Sequence, residues 1–341
     1  MIRLLIVDDS ALMRRLISGV FAELGDFELA IARDGVEALE KLHSFQPHVV
    51  TLDIHMPQMD GLACLDRIMV ERPCPVIMVS SLTEAGANTT LEAMQLGAVD
   101  FIAKPEGAIS LAMNEFAPPL IEKVRAAAKA RLRPTLRLSE RVKLRLKAGG
   151  LDKPAPTMKG FAGPVSGRGP LDGVVVVGSS TGGPPALDAL LAPLPKDFPW
   201  PVLIAQHMPS SFTGALARRL DKLCALDVAE VTRPMSLTAG CVYVGKGDAD
   251  IIVTVRAGST VVTAAPASSE HRWHPSVDRL VTTAMHHLGA PRLIGVLMTG
   301  MGDDGAAAMT QLSAQGGRTI AEAEETAVVW GMPGELVKAG G

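Results

Sequence analysis

LLIVDDS, residues 4–10, and TLDIHMPQMDG, residues 51–61, decide how the first 130 residues of this 341-residue chain fold. Each carries an apolar run of strand length that ends in aspartate: Asp8 and Asp9 follow Leu4–Val7, and Asp53 follows His48–Leu52. Short continuous apolar runs bounded by turn residues are what strands buried on both faces of a parallel sheet look like. Working outward, Phe27–Ala32, Val76–Val79 and Val99–Ile102 repeat the pattern. Between the first two strands, Met13, Ile17, Val20, Phe21 and Leu24 recur at helical spacing. Five strands with intervening helices predict a doubly wound parallel α/β sheet.

In such a sheet the loops at the strand C-termini meet along one edge. Asp8, Asp9 and Asp53 are therefore expected to converge. Three clustered carboxylates repel one another and call for a divalent cation, and an all-oxygen set suits Mg²⁺. Ser80 follows the fourth strand and Lys104 the fifth, so a hydroxyl and an ammonium complete a cradle for phosphoryl oxygens.

Taken in order, LLIVDDS, TLDIHMPQMDG, PVIMVSS (residues 75–81) and DFIAKP (residues 100–105) resemble the response-regulator receiver domain. The resemblance covers residues 1–130 and implies a (βα)5 fold. It implies Asp53 as phosphoacceptor, Asp8 and Asp9 as Mg²⁺ holders with it, and Lys104 as a contact of the acyl phosphate. Ser80 becomes the hydroxyl that follows the phosphoryl group, and Phe101 the aromatic switch residue.

A second alternating pattern begins at Asp172. Its strand candidates are Val174–Val177, Val202–Ala205, Cys241–Val244, Ile251–Val255, Thr260–Thr263 and Leu293–Met298. Helical stretches at Pro185–Leu191, Val277–His287 and Gly305–Ala314 lie among them. Gly178-Ser179-Ser180-Thr181-Gly182 fits G-x-S-x-G directly after a Val-rich strand, a turn that lifts a serine hydroxyl above the sheet edge. A serine nucleophile needs a base, and the base needs an orienting acid. His207 follows the strand Val202–Ala205, and Asp303 and Asp304 lie in the loop after Leu293–Met298. The chain order Ser, His, Asp differs from the Ser, Asp, His order of α/β-hydrolases.

VGSSTGGPPAL (177–187), AQHMPSSFT (205–213), HPSVD (274–278) and LMTGMGDDGA (297–306) together resemble the CheB-type chemotaxis methylesterase domain. The likeness covers about residues 172–341, and a receiver placed before it is that family's domain order. It implies a Rossmann-like catalytic domain over residues 171–341, with Ser180 as nucleophile, His207 as general base and acid, and Asp304 as its orienting carboxylate. Asp303 stands where the family often shows asparagine. Thr181 and the backbone around Met301 are implied to border the oxyanion site. The implied reaction is hydrolysis of glutamate γ-methyl esters on chemoreceptors, with deamidation of receptor glutamines, gated by a histidine kinase that phosphorylates Asp53. No cofactor is implied for the esterase step.

Residues 131–170 change character. Between Ile121 and Pro170 there are 13 Lys/Arg against three acids, which leaves 20 basic against 33 acidic residues elsewhere. Gly149-Gly150 and the Pro/Gly-rich stretch 153–170 break regular structure, so a basic, solvated linker is expected, longer than in compact relatives. Few aromatics accompany the basic residues and no helix-turn-helix is evident, so nucleic acid is not an expected partner. No window approaches the roughly 20 apolar residues that span a bilayer, and no signal peptide opens the chain. Cys64, Cys74, Cys224 and Cys241 lack metal-type spacing and suit a reduced cytoplasmic protein. His271, His274, His286 and His287 are expected to be structural or on the surface, and no zinc site is expected.

Overall fold

The computed structural model describes residues 1–81, 83–105, 109–130, 132 and 172–341. The expected linker 131–170 therefore lies outside the described residues, apart from Leu132.

In the N-terminal region strands and helices alternate as β1 (Ile2–Val7), α1 (Ala11–Ala22), β2 (Phe27–Ala32), α2 (Gly35–Ser44), β3 (Val49–Asp53), α3 (Gly61–Glu71), β4 (Val76–Ser80), α4 (Glu84–Leu96), β5 (Asp100–Ala103) and α5 (Ile109–Ala127). The sheet order is β2-β1-β3-β4-β5, with every neighbouring pair parallel. Local chemistry starts the helices. The Asp34 and Asp60 carboxylates accept from the amides of Glu37 (2.9 Å) and Ala63 (2.8 Å), satisfying donors that the first helical turn leaves free. Gly97, at φ +115°, closes α4 in a conformation that disfavours any side chain. β3 and β4 are buried along their whole length, which explains their unbroken apolar runs.

The C-terminal region runs β6 (Val174–Ser179), α6 (Gly183–Leu191), β7 (Val202–Gln206), α7 (Ser210–Leu223), β8 (Asp227–Val231), β9 (Met235–Ser236), β10 (Cys241–Gly245), β11 (Ala249–Arg256), β12 (Ser259–Pro266), α8 (Val277–Leu288), β13 (Leu293–Leu297), α9 (Ala306–Ala314), β14 (Arg318–Ala321) and α10 (Met332–Lys338). Six of these strands form a parallel sheet in the order β14-β13-β6-β7-β10-β8. The chain winds outward from β6 through β7 in one direction and returns at β13 to build the other, so a crevice opens at the carboxyl ends of β6 and β13.

Two expected strands do not join that sheet. β11 and β12 pair antiparallel and add β9 as a third strand. The reason is the length of their connection. Only Ala257 and Gly258 separate them, both at positive φ (+49° and +77°), and a two-residue turn closes a hairpin, whereas parallel neighbours need a long crossover.

The two sheets are packed together through the receiver-like face made by α4, β5 and α5. α4 lies against α6 and α7, and one apolar cluster runs from Leu91, Met94 and Phe101 into Phe212 and Leu216. The Phe101 and Phe212 rings lie 4.3 Å apart. Among the described residues no helix is long and apolar enough to cross a membrane.

Candidate functional site

The first cluster sits at the switch point of the N-terminal sheet, where β1 and β3 are neighbours and their connections diverge. Asp8 is 1% exposed and Asp53 3%, while Asp9 is open to solvent. Oxygens of all three carboxylates lie within 4.8 Å of one another. The Lys104 ammonium reaches Asp8 Oδ2 at 3.0 Å and Asp53 Oδ2 at 2.8 Å. Burial pushes the Asp53 carboxyl above its ordinary value, with Lys104 pulling the other way and Asp8 adding to the rise. Burial alone would lower the Lys104 ammonium, but Asp53 and Asp8 together hold it above its ordinary value. Asp8 Oδ2 is buried and, among the described residues, receives no directed hydrogen bond beyond that ion pair. Three carboxylates, one orphaned oxygen and no nitrogen or sulfur ligand suit a hard divalent cation.

Ser80 and Phe101 face away from this cluster. The Ser80 hydroxyl accepts from Thr90 Oγ1 at 2.8 Å and lies near the Gly86 carbonyl, so it is engaged with α4. Phe101, 5% exposed, packs against Phe212 in the other sheet's helical layer.

The second cluster occupies the crevice at β6 and β13. Ser180 follows β6, and its amide donates to the Thr299 carbonyl at 2.9 Å. Its own carbonyl accepts from Gly183 N (2.8 Å) and Gln206 Nε2 (2.9 Å). Gly182, at φ +77°, makes the turn into α6. A Cβ on Gly183 would land on the Gln206 amide, so only glycine fits that approach. Gln206 is 1% exposed at the end of an apolar strand and also accepts from Ser179 Oγ at 2.7 Å.

His207 follows β7, its amide bonded to Ser179 O at 3.0 Å, and its Nε2 lies 2.8 Å from Asp304 Oδ2. Among the described residues His207 Nδ1, which is buried, has no partner. Asp304 is 5% exposed, whereas Asp303 is exposed and its carbonyl accepts from Ala306 N at 2.9 Å. Asp304 is held from several sides: Oδ2 accepts from Val277 N at 2.7 Å, and Oδ1 accepts from Asp278 N at 3.0 Å and Ser276 Oγ at 3.2 Å. These amides open α8, so the carboxylate sits on a helix N-terminus. Burial alone would raise its pKa; the His207 hydrogen bond and charge, with the two amides, outweigh that and hold the carboxyl below its ordinary value. Asp278 answers in kind by accepting from Ala308 N at 2.9 Å, and burial pushes its own carboxyl up.

Thr181 and Met301, expected beside an oxyanion site, both face the receiver-like half. Thr181, 3% exposed, directs its hydroxyl to the Asp100 carboxylate at the start of β5, and its carbonyl accepts from Thr299 Oγ1 at 2.8 Å. Asp100 is also paired with Lys123 of α5 at 2.7 Å, and the Val99 carbonyl beside it accepts from Gly182 N at 3.1 Å. The serine turn is thus bonded directly to the receiver-like face. Met301 lines a cleft of about 540 Å³ whose far wall is α5, through Glu122 and Arg125, with Lys129 just beyond its end.

Several contributors escaped the sequence reading. Gln206 carried a signal, as a polar residue closing the run VLIAQ, but Asp100, Asp278 and Trp273 carried none that outweighed an ordinary cap or core position. His274 Nδ1 lies 2.8 Å from Asp250, which is fully buried and also takes Arg279 Nη1 at 2.6 Å. His286 is exposed beside half-buried His287. All four cysteines are buried and free, and burial pushes Cys64 and Cys74 up to about 12.

Residues 175–341 match the family model described as CheB methylesterase, and residues 4–113 match the response regulator receiver domain. A protein-glutamate methylesterase/protein-glutamine glutaminase of Rhodopseudomonas palustris is 57% identical across this whole chain and 93% of its own length. One from Rhodospirillum rubrum is 52% identical across the whole chain and 92% of its own. The solved CheB methylesterase catalytic domain of Thermotoga maritima is 37% identical, covering 49% of this chain and 88% of that one at a TM-score of 0.47. With such identity along its full length, the chain belongs to the protein-glutamate methylesterase/protein-glutamine glutaminase family and joins a response-regulator receiver to a CheB methylesterase domain.

Proposed function

We propose that this chain is a phosphorylation-gated serine hydrolase of the cytoplasm that demethylates glutamyl γ-methyl esters on chemoreceptors, releasing methanol, and also deamidates receptor glutamines. The observation that carries the reading is the His207–Asp304 pair on the sheet edge that bears Ser180, with His207 Nδ1 buried and uncommitted. Nδ1 takes the Ser180 proton as Oγ forms its bond to the ester carbonyl carbon. The backbone amides of Thr181 and Met301 hold the oxyanion. As the carbon–methoxy bond breaks, the same proton passes from Nδ1 to the departing oxygen. Water then resolves the acyl-enzyme by the reverse sequence. A glutamine side chain passes through an equivalent tetrahedral state and loses ammonia.

Asp53 is the phosphoacceptor in this reading, with a histidine kinase as donor. Asp8, Asp9 and Asp53 would hold Mg²⁺, which when bound offsets the charge of the phosphoryl oxygens. Lys104 contacts the acyl phosphate, and Ser80 and Phe101 repack in response to an added charge of about −1.5 to −2. Phe101 is the link to the esterase because it already packs on Phe212, and Asp100 of β5 is bonded to Thr181 of the serine turn. Loosening this face frees the turn and widens the cleft that α5 walls. The test is methanol release from methylated receptor cytoplasmic fragments, with and without a small phosphodonor and Mg²⁺. Release that rises with phosphodonor supports both sites and their coupling; no release from folded protein under either condition rejects the receptor-esterase reading.

A further inference from the structure

We infer that Trp273 is a positioning residue for the catalytic base: its indole stacks on His207, fixes the imidazole plane and stabilises the imidazolium that forms when Ser180 gives up its proton. This rests on the serine-hydrolase reading above and assigns to it a residue outside the Ser180, His207 and Asp304 set.

The two rings are nearly parallel, 9° apart in plane with centroids 5.9 Å apart. That is offset stacking, the arrangement aromatic pairs prefer, and it lies within the range over which an indole attracts a cation. The His207 side chain is 7% exposed and, among the described residues, is tethered at one ring nitrogen only, by Asp304. A single hydrogen bond leaves the ring free to rock about that bond, and the uncommitted Nδ1 would swing with it. A flat neighbour parallel to the ring removes that freedom. In the reaction Nδ1 gains a proton as Ser180 Oγ bonds to the carbonyl carbon, so positive charge appears on the imidazole only as the tetrahedral state forms. An interaction that strengthens with that charge acts on the transition state more than on bound substrate.

The indole is itself held firmly. Its segment is anchored by the buried Asp250 carboxylate, which accepts from Ser268 N (3.1 Å), His274 Nδ1 (2.8 Å), Ser276 N (2.8 Å) and Arg279 Nη1 (2.6 Å). Its outer ring edge sits against Gly302, where an added Cβ would lie 2.8 Å from the ring. The aromatic surface thus touches both the base and the backbone that follows Met301. Arg272 lies over the same indole at 5.0 Å and is ion-paired with Glu122 of α5, so its charge is balanced by the receiver. Plain core filling does not account for these contacts, because Trp273 is only half-buried and the residues it meets belong to the site.

The experiment is steady-state methanol release from methylated receptor fragments by the full chain, with phosphodonor and Mg²⁺, comparing the parent with Trp273→Leu, Trp273→Phe and Ser180→Ala. Trp273→Leu keeps apolar volume without a π face, and Trp273→Phe keeps a face. The expected result is about a tenfold lower kcat for the leucine variant with KM within about twofold, and recovery of most of that loss by phenylalanine. Unchanged kcat in the leucine variant, a loss confined to KM, or equal losses in both variants would each overturn the inference. Because the anchoring contacts of Asp250 do not involve the indole, a leucine variant with the parent's thermal unfolding midpoint is expected. If it unfolds early, the phenylalanine variant decides by the same kcat and KM criteria. Full activity in Ser180→Ala would instead bring down the underlying serine mechanism, which keeps the two failures apart.

Discussion

The molecule places two aspartates at the switch points of two parallel sheets and treats them in opposite ways. Asp304 is surrounded by donors: two amides at the start of α8, the Ser276 hydroxyl and the His207 ring, which together keep it ionised below the ordinary range. Asp53 is equally buried but shares its pocket with Asp8, and one lysine serves both, so burial wins and its carboxyl is pushed up. A carboxylate that must orient a base is best fully satisfied, because its work is to stay in place. One that must accept a phosphoryl group and a cation is best left under-satisfied, because its partners arrive later. In the proposed reading the same burial makes a fixture in one sheet and a switch in the other, and the difference lies in how many donors converge.

Changes at the serine turn that the fixture serves should have the largest effects. Ser180→Ala is expected to lower methanol release on the order of 10⁴-fold or more while leaving the far-ultraviolet dichroism unchanged, since serine at this turn uses backbone groups to hold its conformation. Normal turnover by that variant would break the comparison at its first term. Changes to the switch should be smaller. Asp53→Asn is expected to remove the phosphodonor-dependent rise in activity; a tenfold rise corresponds to about 1.4 kcal/mol of differential docking, which a modest interface can supply. Stimulation that survived would move the phosphorylation site elsewhere. Smaller again is the contact between the two. Asp100→Ala removes the acceptor of the Thr181 hydroxyl and the partner of Lys123, and should raise activity without phosphodonor about fivefold, near 1 kcal/mol. Unstimulated activity at or below the parent's would show that this contact does not restrain the serine turn.

The sequence was most legible where chemistry coincides with the end of an apolar strand. Asp8, Asp53, Ser180 and His207 all follow runs buried on both faces, and strand ends on one sheet edge must meet. Asp304 was distinguishable from Asp303 only through family resemblance; the structure separates them physically, since one faces the opening of α8 and the other faces solvent. What could not be read was the meeting of the two halves. Thr181 and Asp100 are 81 residues apart, and nothing local in either marks the hydroxyl as bonded to the receiver and not turned into the crevice. Trp273 likewise reads as an aromatic in a polar stretch until His207 is brought alongside. The antiparallel pairing of β11 with β12 was not legible, because Val-rich runs report burial, whereas the two-residue link between them decides direction.

The contrast between Asp304 and Asp53 can be sharpened on stability alone, where the effects are smallest but opposite in sign. Asp304 has a depressed carboxyl, so its contribution is fully present above the ordinary carboxylate value of 3.8 and is lost as pH falls through the lower folded value. Asp304→Asn should therefore be less stable than the parent near neutrality, with the deficit closing in acid. Asp53 has a raised carboxyl, so its ionisation opposes folding at neutral pH, and that opposition is relieved as pH falls through the raised folded value. Asp53→Asn, measured with chelator so that no divalent cation offsets the charge, should be more stable than the parent near neutrality, with the excess closing in acid. Urea midpoints from about pH 7 to about pH 3 for the three proteins would then fan apart at neutral pH and converge at low pH. Two variants displaced to the same side of the parent would mean that donor count does not separate the fixture from the switch.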